Sequence, residues 1–294
     1  MSEDQFIKYL KYEKRFSALT VQAYENDLRQ FVLYLKNTGF TKGAGDAGDK
    51  AIRSWIVDLL EKGYSTRSIN RKISTLKSFY RFLQRKGSIQ KNPMDKIVSP
   101  KVSKKLPYFV DQKDMNKLLS TPEFGNDFEG LRNRAIIETF YQTGIRLSEL
   151  TGLESRRVNL DSGSILVLGK RNKERMIPIS NSLKGILKEY AEKRRTDLKG
   201  EDEQYFFLTS KGKKLYPKLV YRVINSYLQM VTTIEKKSPH VLRHSFATHM
   251  LNNGADLNAI KELLGHANLA ATQVYTHNTF EKLKSIYNQA HPRA

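Results

Sequence analysis

Five of the six histidines lie between Ser238 and His277, in SPHVLRHSFATHMLNNGADLNAIKELLGHANLAATQVYTH, together with Arg243 and Tyr275. Ser238-Pro239 is a helix start, since a serine oxygen can cap free backbone N–H groups and proline tolerates the first helical position. Val241, Leu242, Phe246, Met250 and Leu251 give that helix an apolar stripe, and Asn252-Asn253-Gly254 ends it. His240 and Arg243, three residues apart, share a face. A second helix, Leu257 to Leu264, stops at Gly265 with His266 behind it, and Asn268 is placed to cap a third that carries Tyr275. The spacing thus permits His240, Arg243, His266 and Tyr275 to converge from three short helices. Taken singly, each has a plainer reading as a cap, a turn residue or packing. Zinc is the other chemistry in view, because His240, His244 and His249 have near-ligand spacing. The helix lacks the Glu of an H-E-x-x-H site and the chain has no cysteine, so neither a metal nor another cofactor is expected.

Two further pieces bear on chemistry. In TGIRLSEL, Arg146 follows a helix-ending glycine and Glu149 lies three residues on, so the carboxylate can hold the guanidinium in place. In GKRNKER, a turn at residues 169 to 173 thrusts several cations outward, among them Lys170, Arg171 and Lys173. Either piece alone could be an ordinary ion pair or a soluble loop.

The elements that must position these residues fall into two parts. The first ~100 residues read as helices alone. Val21, Tyr24, Leu28, Phe31, Val32 and Leu35 form one stripe ending at Gly39, and TKGAGDAGD is a Gly-rich loop. Ile52, Trp55, Ile56, Leu59 and Leu60 form the next, ending at Gly63. Ser65 caps a third helix whose Ile69, Ile73, Leu76, Tyr80 and Leu83 face inward, leaving Arg67, Arg71, Lys77, Arg81 and Arg85 outside the stripe. Helix formers stop at Asn92-Pro93, and SPKVSKKLP, with prolines at both ends and Lys104 and Lys105 inside, has the signature of a basic linker. The expected domains are therefore 1–98 (helical, clamping), 99–107 (linker) and 108–294 (mixed α+β). In the last, helices are expected at Gln112–Leu119, Leu131–Gln142, Ser182–Arg194 and Lys218–Val231. Ser164–Leu168 and Arg175–Ile179 read as a hairpin, with Tyr205–Leu208 as a short third strand. The fold class is mostly α with a small antiparallel β-sheet.

Charge says what the chain meets. With 51 Lys+Arg against 30 Asp+Glu the net charge is +21 and the pI near 9.9, and a folded protein this basic expects a polyanion, nucleic acid first. Residues 1–105 carry 22 Lys+Arg and 10 Asp+Glu, a net of +12, so positive charge is denser in the half without a catalytic cluster. That half reads as a clamp on a nucleic-acid backbone. No apolar run approaches the ~20 residues that span a bilayer, and MSEDQF does not open like a signal peptide, so no membrane insertion and a cytoplasmic location are expected.

Together the pieces resemble the tyrosine site-specific recombinases, and their Xer branch in particular. TGIRLSEL is similar to that family's first arginine box, LGKRNKER to its lysine hairpin, HVLRHSFATHML to its H-x-x-R box, LLGH to its second histidine and YTH to its nucleophile. By that resemblance, which covers nearly the whole chain, Arg146, Lys170, His240, Arg243, His266 and Tyr275 match the catalytic set and Glu149 its supporting acid. It also implies an all-helical core-binding (SAM-like) domain ahead of a catalytic one. The implied activity is cleavage and rejoining of double-stranded DNA through a 3′-phosphotyrosine, in the resolution of chromosome or plasmid dimers. The implied assembly is a tetramer on DNA with itself or a paralogous recombinase, assisted by a DNA translocase of the FtsK type. In relatives the C-terminal helix passes to a neighbouring protomer. The tail here, 279–290 with Phe280, Leu283, Ile286 and Tyr287 on one side, is accordingly expected to dock in trans.

The chemistry of the residues agrees. A tyrosine hydroxyl, pKa about 10, must lose its proton while attacking phosphorus. Two arginines provide planar forks for the charge that gathers on the non-bridging oxygens, and a lysine can protonate the departing 5′ oxygen. Lys173 and Arg171 suit backbone contacts. No carboxylate cluster for Mg²⁺ and no P-loop occurs. A mobile-element integrase, a type IB topoisomerase-like enzyme and a DNA-binding architectural protein with an idle site remain the alternatives. An RNA-binding protein is disfavoured by the lack of an RNP-type aromatic motif.

Overall fold

The computed structural model describes residues 2–102, 108–169, 173–198, 204–265 and 277–294, the side chains of 277–279 excepted. The chain divides into two compact units, Met1–Lys105 and Leu106–Ala294.

The first unit is helical throughout. Helix α1 (Ser2–Lys8) runs into a π-helical turn, followed by α2 (Ala18–Asn37), α3 (Asp49–Glu61) and α4 (Thr66–Arg85). Ser17 and Ser65 cap α2 and α4 by accepting the N–H of the third residue on, and glycines at positive φ, Gly39 and Gly63, follow α2 and α3. The apolar stripes close on one another: Phe31 of α2 packs against Trp55 of α3 with ring centroids 4.9 Å apart, and Ile69, Ile73, Leu76 and Phe79 of α4 complete the core. Each such side chain contributes about 1.5–3 kcal/mol by leaving water. The Gly-rich loop is tied down, because the buried Tyr80 hydroxyl donates to the carbonyls of Ala44 and Ala47 at 2.7 and 3.2 Å. Past Asn92-Pro93 a short 3₁₀ turn carries Met94, and both Met94 and Ile97 are buried in this same core.

The second unit is built on α6 (Phe128–Thr143), which is buried along nearly its whole circumference. Around it lie α5 (Gln112–Leu119), α7 (Leu147–Thr151), α8 (Asn181–Asp197), α9 (Pro217–Val231), α10 (Pro239–Asn252), α11 (Leu257–Leu264) and α12 (His277–Ala290). The sheet is antiparallel in the order β1-β2-β3, from β1 (Val158–Asn159), β2 (Ser164–Leu168) and β3 (Glu174–Pro178). The hairpin stands within one residue of its expected place, but its third strand is β1, not Tyr205–Leu208. That segment makes only isolated bridges, Glu154 to Tyr205 and Leu208 to Lys214. Phe206, Phe207 and Leu208 are consecutive buried residues filling the core, a pattern that does not suit a strand with one wet face. A second difference concerns Ser238. It heads α10, yet the carbonyl does the work, accepting Val241 N–H at 2.9 Å, with no bond from the hydroxyl to the first turn.

The trans docking expected of the tail concerns a neighbouring protomer. In this single chain α12 docks in cis: Leu283, Tyr287 and Ala290 are buried with Phe246, Met250, Ile260 and Leu263 of α10 and α11. Polar bonds lock it, with Asn253 Nδ2 donating to Ala290 O at 2.8 Å and Arg293 paired to the buried Glu138 at 3.1 Å. The chain's own unit thus seats Leu283 and Tyr287 of the stripe, while Phe280 and Ile286 are only partly buried. Among the described residues no helix is long and apolar enough to cross a membrane.

Candidate active site

The break between α6 and α7 sets the site. Gly144 ends α6 in the left-handed region (φ 58°), and a Cβ there would meet Leu264 at 2.6 Å and Phe246 at 2.7 Å. Only glycine lets α6, α10 and α11 approach so closely. Two residues on, Arg146 caps α7 with Glu149 in its first turn. Glu149 Oε2 accepts the Arg146 backbone N–H at 2.8 Å, and Oε1 accepts Arg146 Nη1 at 2.7 Å. This is the pairing the three-residue spacing predicted.

A second guanidinium completes it. Arg175 of β3 is buried and grips the same carboxylate with both arms, Nη1 to Oε1 at 2.9 Å and Nη2 to Oε2 at 2.8 Å. Arg175 was expected to open the second strand of the hairpin, with no role in the site. The register turns it inward: Arg175 stands opposite Val167 and Ile177 opposite Ile165, all four on the buried face of the sheet. Period-two alternation from Ile177 was the signal that could have found it. Burial alone would raise the Glu149 pKa, but the bonds and charge of Arg175, with those of Arg146, hold it down at about 2.

The third guanidinium comes from α10. Arg243 donates Nη2 to Leu264 O at 2.8 Å and Nη1 to Gly144 O, while Arg146 Nη2 reaches Gly265 O at 2.9 Å and Arg175 Nε reaches Leu263 O at 2.8 Å. Three cations therefore bind successive carbonyls at the C-terminal end of α11, where the helix dipole is negative. Burial, then the charges of Arg146 and Arg175, push the Arg243 pKa down to about 10. Three guanidiniums converge beside one carboxylate, two of them bonded to it, an excess of two positive charges suited to an anion such as a phosphodiester. Arg146, with its side chain 31% exposed, presents that charge to solvent.

His240 is exposed in the first turn of α10, one turn before Arg243. His249 instead turns inward, its Nδ1 2.9 Å from the Tyr141 hydroxyl, whereas His244 is exposed. Among the described residues no group of three His, Cys, Asp or Glu is placed to hold a metal ion. Lys170, Arg171, His266 and Tyr275 lie outside the described residues, as do Lys104, Lys105 and the Asn268 cap. Their described neighbours frame the site: Gly169 N–H donates to Lys173 O at 2.7 Å at the base of the hairpin, and Gly265 closes α11. Lys173 is exposed.

In the first unit, Arg67 and Arg81 are exposed on α4 and Lys77 is half-buried. Arg71 is half exposed and bonded to the buried Asp27, which also accepts Lys72 Nζ at 2.9 Å and Thr75 Oγ1 at 3.1 Å. Lys72 and Asp27 gave no signal in the sequence, since a lysine on a basic helix carries no sign that it turns inward.

The phage integrase family model matches residues 108–282, and the model of that family's N-terminal SAM-like domain matches residues 4–87. The chain belongs to the phage integrase family. Tyrosine recombinase XerC of Chlorobaculum parvum is 40% identical over 317 residues, covering 99% of this chain and 94% of the relative. Tyrosine recombinase XerC of Oceanobacillus iheyensis is 39% identical over 294 residues, covering 99% and 96%. Among solved structures, the XerH site-specific recombinase bound to its difH substrate in a pre-cleavage complex superposes with a TM-score of 0.70. It covers 98% of this chain and 85% of that one at 23% identity, and supports the fold. The chain is a tyrosine-type DNA strand transferase of the Xer branch, a site-specific recombinase.

Proposed function

We propose that this recombinase cuts one DNA strand per site with Tyr275 and resolves chromosome or plasmid dimers. The tyrosine oxygen bonds to phosphorus as the P–O5′ bond breaks. The phenolic proton passes to a base, with His240 assisting, and the 5′ oxygen takes a proton from Lys170. The products are a 3′-phosphotyrosine and a 5′ hydroxyl, and attack by a partner strand's 5′ hydroxyl reverses the step without metal or ATP. Arg146 and Arg243 bind the non-bridging oxygens, His266 hydrogen-bonds the phosphate, and Glu149 holds Arg146. Arg67, Arg71, Lys77, Arg81, Lys104, Lys105, Arg171 and Lys173 contact the DNA backbone. The observation that carries this reading is the double positive excess around Glu149, built by three guanidiniums at the end of α11. The working form is a tetramer on DNA, of this chain or with a paralogous recombinase, in the cytoplasm, with a translocase of the FtsK type as partner.

Trapping on a suicide substrate tests it. Wild-type protein should accumulate a covalent adduct, while Tyr275→Phe binds the same site and forms none. An adduct that persisted in the variant would sink the assignment of the nucleophile.

A further inference from the structure

Arg175 is not among the residues named above for catalysis or DNA contact, yet it bonds both to Glu149 and to the end of α11. Each oxygen of Glu149 is shared: Oε1 takes Arg146 Nη1 and Arg175 Nη1, Oε2 takes the Arg146 backbone N–H and Arg175 Nη2. Arg146 alone leaves the carboxylate free to pivot about its own short loop, since both partners come from one residue three positions away. The fork from β3 removes that freedom, because two parallel N–H bonds define a plane as well as a point. The third nitrogen, Nε, anchors Leu263 O, and the side-chain shaft packs against Gly265 so closely that a Cβ there would lie 3.1 Å from Arg175 Cδ. Gly265 stands at φ 66°, which with this contact favours glycine at the residue before His266, since any Cβ there would push on the Arg175 side chain.

We propose that Arg175 is a positioning residue for strand cleavage, acting through Glu149 to aim Arg146 at the scissile phosphate. This rests on the assignment of Arg146 to the phosphate made above. Arg175 is 4% exposed, and its three described bonds hold Glu149 and Leu263, so its route to the phosphate runs through those partners. Its effect on chemistry should therefore be confined to the charge that Arg146 meets, and should spare binding.

The test is single-turnover cleavage by the full-length protein at saturating DNA. It compares wild type, Arg175→Lys and Arg175→Met on a scissile phosphodiester, on a methylphosphonate that lacks the non-bridging negative charge, and on a 5′-bridging phosphorothiolate. Arg175→Lys keeps the charge without the fork. Arg175→Met removes both, but Glu149 stays paired with Arg146, so no buried charge is stranded and the unit should fold. Melting curves set the assay temperature below each variant's transition. Both variants should bind DNA within about threefold of wild type and lose about 10²-fold in cleavage of the phosphodiester. The loss should shrink to under tenfold on the methylphosphonate and persist on the phosphorothiolate. An equal loss on all three substrates would make Arg175 merely structural. Relief on the phosphorothiolate alone would place its action on the leaving group and overturn the route through Arg146. Full rescue by lysine would show that charge suffices without the fork. A wild-type protein that forms no adduct would overturn the nucleophile assignment as well, which separates that failure from failure at Arg175.

Discussion

Each unit contains a buried carboxylate that holds two cations, and the two clusters are built for different ends. In the first unit, Asp27 of α2 binds Arg71 and Lys72, neighbours on α4. One cation is swallowed and the other stays half in water, so the cluster joins two helices and pins a single charge at the surface. In the second unit, Glu149 binds Arg146 from its own cap and Arg175 from β3, while Arg243 arrives from α10. Cations there outnumber anions by two, all are planar forks, and every fork also binds a carbonyl at the end of α11 or α6. Grip on a long polyanion can be divided among many exposed charges, each tolerant of small errors. Stabilising one phosphorus atom cannot, because a donor misplaced by 1 Å loses most of its effect.

The largest expected consequence separates the clusters by readout. Glu149→Ala frees two guanidiniums at once and should cut the cleavage rate at saturating DNA by about 10³-fold. Asp27→Ala strands the buried Lys72 and should cost about 3–5 kcal/mol of stability, measured by urea denaturation, while the folded fraction cleaves within about threefold of wild type. If Asp27→Ala matched the catalytic defect of Glu149→Ala, the two clusters would not differ in kind.

A smaller effect addresses how the first unit grips DNA. Removing Arg67, Arg71 and Arg81 together should weaken binding and make log affinity against log salt shallower by about 2 to 3, near 0.9 for each phosphate no longer neutralised. Asp27 shares Arg71, so Arg71→Ala alone should change the slope least of the three single replacements. An unchanged slope in the triple variant would mean that this face of α4 is only solvated.

The same contrast explains what could be read in advance. Arg146 and Glu149 are three residues apart, His240 and Arg243 likewise, and such local pairings are legible because helix geometry dictates them. The helices themselves followed from apolar spacing and glycine stops. Arg175 reaches Glu149 across 26 residues, and only tertiary packing turns a basic hairpin residue into a buried clamp. Tyr205–Leu208 looked like a strand because consecutive apolar residues do not distinguish a buried loop from a strand. The tail stripe was legible as well, but not its seat, which is assembled from α6, α10 and α11.

That seat yields the smallest expected effect, on the second unit's own latch. His291 stacks on Tyr287 with ring centroids 5.1 Å apart and also packs against Phe246 and Tyr141. Its Nδ1 accepts Arg293 N–H at 3.1 Å, so the proton of the neutral ring sits on Nε2, which donates to Tyr141 O at 3.2 Å. Protonation would place a second N–H against that of Arg293, with the Arg293 charge and His249 close by. Burial foremost, then His249 and Arg293, push the His291 pKa down to about 3 from 6.5. The docked tail therefore binds fewer protons than the released one. Docking is at full strength above pH 6.5 and weakens by about 1.4 kcal/mol per unit as pH falls toward 3, so about 2 kcal/mol, or 30-fold, is lost at pH 5. Glu138, raised by burial, titrates in the opposite sense beneath Arg293, which makes a His291 variant necessary to assign the effect. Amide exchange in α12 should accelerate about 30-fold relative to α6 between pH 7.5 and pH 5, after correction for intrinsic rates. His291→Gln, which keeps a donor and an acceptor but cannot take up the proton, should lose that acceleration. If the variant accelerates as wild type does, His291 is not the titrating group and the latch does not depend on its neutral form.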